Sequence, residues 1–387
     1  MSTILHVTYD LRDRNGKEKT LAVKNLIDQT IANYESIIID VVRVPKFKEE
    51  KCNIIGNRME LNVFGLPYGL FLMKHLQRTY NKAVEQLGNK KYDLVHAHKL
   101  SFDGVVGYKL AMRANVPLFL TIRQSDIAVM KYRPDLIPKY KKILMYSSKI
   151  IHLVPCMIKF LKEVTGEDFF DRHVKSKIVF LPNIVERKIS DVSYESENYF
   201  LTIARMSKDY VKIKNIKRLL PAFSQIKDKK VKLKIIGKGK YMPAIKKWVD
   251  DLGLNGRVEF LGAIDNTNID PYYAKALAMV MPSKRESFGM VYAEALLNGT
   301  PIMYSKGVIG FDGVFNDCGV GVDPFSVDSI KNGLEQLIQN NAVYRRAIKE
   351  LSNKKAFSIF SANSVREKYL NILGEILGKE QNAKVLS

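Results

Sequence analysis

Short apolar runs alternating with helix-spaced stretches constrain this chain most, because the alternation occurs twice in series. In the first half, Ile4–Tyr9, Ser36–Val42, Leu94–His98, Leu118–Ile122, Ile150–Val154 and Lys177–Leu181 read as strands. Between them, Leu21–Asn33, Leu70–Leu87 and Asp103–Arg113 carry apolar residues three and four apart, which predicts helices. Strands separated by helices at this interval form a mainly parallel sheet covered on both faces. The pattern stops at Glu186–Asn198, a polar stretch that reads as a linker. It restarts with strands expected at Tyr199–Ala204, Leu233–Ile236, Val258–Leu261, Ala278–Met281, Thr300–Tyr304 and Val320–Val322. Asn215–Ile226, Tyr241–Leu252, Pro271–Lys275, Gly289–Leu297 and Ser329–Gln339 supply the second set of helices. At 387 residues the chain exceeds a single core. The expected class is α/β with two Rossmann-like domains, 1–190 and 191–361. A last helix at Ala362–Leu377 has no assignment in its own pattern, and residues 362–387 are a candidate completion of the first domain.

Ligands of an open parallel sheet sit beyond the carboxyl ends of its strands, where helix N-termini offer unpaired N–H groups to phosphate. Four loops qualify. Asp10–Lys17 follows the opening strand and contains Gly16, without a GxGxxG fingerprint. Ala204–Lys208 leads through Lys214 into a helix; Arg205 and Lys214 stand where cations do nothing for helix stability and could neutralise a leaving diphosphate. Gly237-Lys238-Gly239-Lys240 follows a strand, is too short for a P-loop, and suggests close approach of backbone to ligand. The fourth runs from Pro282 to Ala295: Glu286 lies in the loop, Ser287, Phe288, Gly289 and Met290 lead into a helix, and Glu294 occupies its second turn. Carboxylates at these two places can take sugar or ribose hydroxyls while the amides between them hold phosphate.

Together these elements resemble the GT-B glycosyltransferases of family 4, the group 1 enzymes. The likeness rests on Phe200–Ile302: the strand before Arg205 and Lys214, the Ile-Ile-Gly-Lys-Gly loop at 235–239, Val-Glu-Phe-Leu-Gly at 258–262, and Glu286 through Glu294 followed by Ala-Leu-Leu-Asn-Gly-Thr-Pro. In the first half it rests on Asp93–His98 and Leu181-Pro182-Asn183. The resemblance implies two domains facing each other across a deep cleft, a UDP-linked donor ahead of a GDP-linked one, no divalent metal, and retention of anomeric configuration. It assigns Arg205 and Lys214 to the donor diphosphate, Glu294 to the ribose, Glu286 to the transferred sugar, the backbone around Ser287–Met290 to phosphate and sugar, and Gly16 to a closing loop. Front-side attack, with the leaving phosphate assisting deprotonation of the acceptor, is likewise implied. Two residues depart from the pattern. Ala204 replaces a glycine, and Arg123 stands where relatives commonly carry histidine. Arginine cannot act as a base near neutral pH, but it can bind a carboxylate or phosphate on donor or acceptor.

Metal independence is also expected from the chain itself, which has no Asp-x-Asp pair to carry a divalent cation. Cys52, Cys156 and Cys318 read as ordinary thiols. His96 and His98 are expected to face opposite sides of their strand, His98 toward the site and His96 into the core; His6 is expected in the core. The net charge of +22 is concentrated: residues 51–150 carry 17 basic and 6 acidic side chains, and residues 201–250 carry 15 and 3. Such a field draws phosphate substrates or an anionic membrane. Tyr68–Leu87 is basic and amphipathic, suiting a lipid-linked acceptor or an anionic membrane surface. Nucleic acid is not expected, since neither basic region interleaves the aromatics of a base reader. With no leader pattern and no apolar run of spanning length, a cytoplasmic protein, peripheral on the membrane at most, is expected. The expected product is a surface polysaccharide or glycoconjugate. A GT-B epimerase and a non-catalytic nucleotide-sugar or polyanion binder are the rival readings.

Overall fold

The computed structural model describes the chain except residues 14, 19–20, 46–49, 67–69, 155, 186, 188–195, 287, 309–314 and 379–387. The chain divides into two compact units, Met1–Ile184 with Ala362–Ser387, and Val185–Ser361. The unit boundary thus lies six residues before the one expected from the polar stretch.

The first unit is built on eight strands: β1 (Thr3–Thr8), β2 (Glu35–Val44), β3 (Cys52–Ile55), β4 (Arg58–Phe64), β5 (Leu94–Ala97), β6 (Leu118–Ile122), β7 (Ser147–His152) and β8 (Ile178–Phe180). Their order is β3-β4-β2-β1-β5-β6-β7-β8. All neighbours are parallel except β3 and β4, which form an antiparallel edge hairpin absent from the sequence reading. β3 is exposed along its whole length and shows no alternation, whereas β4 buries every second residue. The central strands β1, β5 and β6 are almost continuously buried, as a sheet covered on both faces requires. The closing helix Ala362–Leu377 belongs to this unit: Val365, Tyr369, Leu370 and Leu373 are buried, and Lys149 pairs with Glu375 at 2.7 Å.

The second unit carries β9 (Tyr199–Ile203), β10 (Lys232–Ile236), β11 (Val258–Gly262), β12 (Ala278–Val280), β13 (Ile302–Ser305) and β14 (Gly319–Val322), all parallel, in the order β11-β10-β9-β12-β13-β14. This is the doubly wound order 3-2-1-4-5-6, whose direction reverses between β9 and β12. Its core joins Phe200, Leu233 and Val280 of the sheet to Leu219, Phe223 and Leu334 of flanking helices. No helix among the described residues is long and apolar enough to cross a membrane. The helix Leu72–Leu87 turns Leu72, His75, Leu76 and Ala83 inward. Of its expected apolar face only Leu70 and Phe71, just ahead of it, are exposed.

Candidate active site

In the second unit three of the four loops meet at the switch point, because they follow β9, β10 and β12. Their backbones interlock first. Ala204 donates to the Ile236 carbonyl at 3.0 Å, Met206 to that of Lys238 at 3.1 Å, and Tyr241 to that of Met206 at 2.9 Å. Gly237 (φ 143°) and Gly239 (φ 158°) flank this ladder. A Cβ on Gly237 would lie 1.8 Å from the Ala204 carbonyl oxygen, and one on Gly239 would lie 2.2 Å from that of Met206. These glycines therefore admit the chain itself, fixing the residues on either side of Arg205. That reason differs from the close approach to a ligand that their pattern suggested. Arg205 projects exposed from this pinned segment, its guanidinium 5.2 Å from the centre of the Tyr210 ring.

Lys214 follows the helix Lys208–Ile213, and its backbone N–H donates to the Tyr210 carbonyl at 2.7 Å. Its ammonium is ion-paired with Glu286, both side chains being mostly buried. Backbone also ties the two segments together, since Lys284 N–H donates to the Ile213 carbonyl at 2.8 Å. Gly289 takes φ 84° ahead of the helix Met290–Leu297 and packs against Tyr292, with Glu286 Cγ just beyond. Burial, then the Glu286 charge, push the Tyr292 hydroxyl well above its ordinary range, so it stays a donor, bonded to the Met281 carbonyl at 2.5 Å. Phe288 turns its ring into the core, edge-on to Phe360 at 5.9 Å, leaving only backbone for a ligand. Ser287 lies outside the described residues. Glu294 forms a separate cluster: the Tyr273 hydroxyl donates to its Oε2 at 2.7 Å, and Arg187 Nη2 lies 3.5 Å from its Oε1. The sequence reading missed Arg187 and Tyr273 as site residues. Nothing in local spacing marks either, because their partners are remote in sequence.

Lys212, Lys217, Arg218 and Lys284 crowd beside this site. Burial and then the charges of the other three lower the Lys284 pKa.

In the first unit Gly16 (φ 78°) sits at the exposed tip of a small turn between Arg12 and Glu18, held by Asp13 Oδ1 accepting the N–H groups of Asn15 and Lys17 at 2.8 and 3.0 Å. Behind it, Arg12 pairs with Asp40 at 2.5 Å and Glu60 at 3.1 Å, and Lys99 with Asp10 at 2.6 Å. Arg123 follows β6. It is 8% exposed and donates through Nε to the His98 carbonyl at 3.0 Å. Its Nη groups find no acceptor among the described residues, and the side chain lines a shallow cavity with Thr121, Leu153, Pro182 and Asn183. Asp126 fixes the neighbouring loops, accepting from the N–H groups of Leu100, Ser101 and Arg123.

His6 and His96 lie in the core as expected, but the expectation that His96 and His98 face opposite sides is overturned. His96 and His98 lie on one face with ring centres 4.0 Å apart, since residues two apart on a pleated strand share a face. His98 is as fully buried as His96, with Nε2 3.1 Å from His6 Nδ1. His96 meets the Tyr369 hydroxyl at 2.6 Å and Thr121 Oγ1 at 2.9 Å. Ring nitrogens of His6, His96 and His98 all lie within 4.8 Å of one another, a grouping that could hold a metal ion. Both nitrogens of His96 are engaged by hydroxyls, whereas the buried His6 Nε2 and His98 Nδ1 have no hydrogen-bond partner among the described residues. Burial lowers His6 to about 3 and holds His96 and His98 well below their ordinary value, so all three are neutral. Nearby, Asp103 is wholly buried with neither oxygen hydrogen-bonded, and burial pushes its carboxyl well above the usual range.

Residues 185–355, nearly the whole second unit, match the family model described as glycosyl transferases group 1. A glycosyltransferase of Methanocaldococcus jannaschii is 26% identical over 88% of this chain and 89% of its own length. The N-acetyl-alpha-D-glucosaminyl L-malate synthase of Bacillus anthracis is 23% identical over 86% and 87%. The solved structure of Anabaena HepE in complex with UDP-glucose superposes with a TM-score of 0.66 at 17% identity, covering 97% of this chain and all of that one, a likeness of fold. The switch-point geometry, the doubly wound sheets and these likenesses converge: the chain has the GT-B fold, and its second unit matches the group 1 glycosyltransferase model.

Proposed function

We propose that the chain transfers a hexose from a nucleoside-diphosphate sugar, UDP-linked ahead of GDP-linked, to a glycan or lipid-linked acceptor, with retention and without a divalent cation. The observation that carries this reading is the Lys214–Glu286 ion pair beside Gly289 and the helix start at Met290. A cation for phosphate, a carboxylate for sugar hydroxyls and free N–H groups at a helix N-terminus there stand together. Arg205 and Lys214 neutralise the diphosphate as the glycosidic bond breaks, Glu286 orients the sugar, and Glu294 takes the ribose hydroxyls. Gly237 and Gly239 hold Arg205 in place through Ala204 and Met206. The amides of Ser287, Phe288, Gly289 and Met290 seat phosphate and sugar. In the first unit, the His98 carbonyl steadies Arg123, and Arg123 offers its Nη groups to an anionic substituent. The departing phosphate takes the acceptor proton, since a buried arginine cannot.

The basic helix Leu72–Leu87, preceded by exposed Leu70 and Phe71, suits an acceptor presented at an anionic membrane surface. A panel of nucleotide sugars, assayed by nucleoside diphosphate release with and without cell lipids and repeated in EDTA, tests the proposal. Turnover dependent on lipid and indifferent to EDTA is expected. Turnover abolished by EDTA rejects metal independence; a changed sugar released without acceptor makes the protein an epimerase; tight donor binding without turnover makes it a binding module.

A further inference from the structure

Arg187 lies in the polar stretch that opens the second unit, yet its side chain is only 5% exposed. Nη1 stands 3.3 Å from Asp270 Oδ1 and donates to the Asn266 carbonyl; Nη2 donates to Asn266 Oδ1 at 2.5 Å and stands 3.5 Å from Glu294 Oε1. On the other oxygen of Glu294 the Tyr273 hydroxyl donates at 2.7 Å. Burial, then the Glu294 charge, raise that hydroxyl well above its ordinary pKa, so it keeps its proton. Asn298 Nδ2 closes the cluster, reaching Asp270 Oδ1 at 3.2 Å and the Glu294 carbonyl at 2.9 Å.

This arrangement does two things to Glu294. It places one guanidinium between two carboxylates that would otherwise repel, and so holds the Glu294 side chain in place. It also sets the Tyr273 hydroxyl on one carboxylate oxygen and the Arg187 guanidinium beside the other. An ionised carboxylate has about four lone-pair sites; Tyr273 occupies one on Oε2, the Arg187 guanidinium pairs with Oε1 at 3.5 Å without a hydrogen bond, and at least one site on each oxygen is left open. Two acceptor sites held at a fixed rotation match a vicinal diol. An unbraced glutamate could offer the same atoms only after losing rotamer freedom on binding.

We infer that Arg187 is a positioning residue for the donor ribose, acting through Glu294, with Tyr273 as its counterpart on the second oxygen. The inference rests on the reading of Glu294 as the ribose-binding carboxylate. Calorimetric titration of the full chain with UDP and with 2′,3′-dideoxy-UDP tests both. The wild-type chain should bind the dideoxy compound at least tenfold more weakly, as expected for hydrogen bonds to a charged group. In Arg187→Ala, UDP affinity should fall roughly tenfold while the preference for UDP over the dideoxy compound shrinks toward unity. Arg187→Lys, which keeps charge but not the fork, should recover part of that preference. Donor KM should rise far more than kcat falls. Arg187→Ala retaining the full wild-type preference overturns the positioning role, whereas a wild-type chain indifferent to the ribose hydroxyls overturns the assignment of Glu294 itself. Should Arg187→Ala fail to fold, Tyr273→Phe makes the same measurement from the other oxygen, and an unchanged preference there has the same adverse meaning.

Discussion

The two units treat charge at their switch points differently. In the second, the Lys214 cation meets the Glu286 carboxylate and the Arg187 guanidinium meets that of Glu294. In the first, Lys99 and Asp10 are likewise paired, but among the described residues Arg123 is anchored only by its Nε, Asp103 is buried without a hydrogen-bonding partner, and the neutral rings of His6, His96 and His98 pack together. Paired charges hold side chains in fixed rotamers, which is what a site needs when it always receives the same nucleotide diphosphate. An unpaired guanidinium leaves its partner to be supplied by whatever binds. The family model covers the second unit and stops there, which is the division the proposed function requires if the second unit takes a shared donor and the first an individual acceptor.

The sharpest way to break this contrast is at the second unit's pair. Glu286→Gln keeps shape and hydrogen-bonding capacity but removes the charge that balances Lys214. If Glu286 orients the sugar during transfer, kcat/KM should fall by about 10²–10³-fold, the usual cost of deleting one preorganised electrostatic contact. UDP affinity should hold or rise, because Lys214 is released to the diphosphate. A Kd for UDP that weakens as much as kcat/KM drops would mean the pair serves binding alone.

The first unit's contrast can be sharpened by pH. The three histidines have folded pKa values depressed by burial, so their stability contribution is complete above about 6.5, their unfolded value, and is lost as pH falls below it. Between pH 6.5 and 5.5 each should cost roughly 1 kcal/mol. Asp103 works the other way: its raised pKa means stability present below about 3.8 that is lost as pH rises, so in the same window it offsets part of the histidine loss. Amide exchange in β1 and β5 should therefore quicken from pH 6.5 to 5.5 after correction for intrinsic rates, and more steeply in Asp103→Asn. Protection in those strands that does not change over this window would show that the trio is not buried neutral.

How much of this was legible in sequence varies with the range of the signal. The twelve expected strands are all present within a few residues, because buried parallel strands are continuous apolar runs bounded by turns. The β3–β4 hairpin went unread: β3 buries nothing, so its residues carry no pattern, although the alternation in Arg58–Phe64 was there to find. Arg205, Lys214 and Glu286 were readable as candidates because each follows a strand end or leads into a helix, and Glu294 because it stands one turn into the helix that Glu286 precedes. Their partners were not. The bond from Arg187 to Asn266 spans 79 residues, and no local spacing encodes a contact of that range. Gly237 and Gly239 were noticed for a correct property, absence of a side chain, but the atoms they admit are backbone oxygens of β9's extension. The opposite-face expectation for His96 and His98 failed on elementary pleat geometry rather than on missing information.

Arg123 is where the contrast should give its smallest and most specific effect. Replacing it with methionine keeps apolar bulk against Leu153 and Pro182 but leaves the His98 carbonyl without its donor, so a stability loss of about 1 kcal/mol is expected whatever the substrate. The informative readout is selectivity. If the Nη groups take an acid on the acceptor, Arg123→Met should raise KM about tenfold for an acceptor bearing a carboxylate or phosphate. KM for its neutral analogue and the slow release of nucleoside diphosphate without acceptor should stay near wild type. Arg123→Lys should restore part of the difference, since a point charge attracts the anion without the fork. Equal losses on charged and neutral acceptors would reduce Arg123 to a brace for the His98 loop, and the first unit's unpaired charge would then be no guide to its substrate.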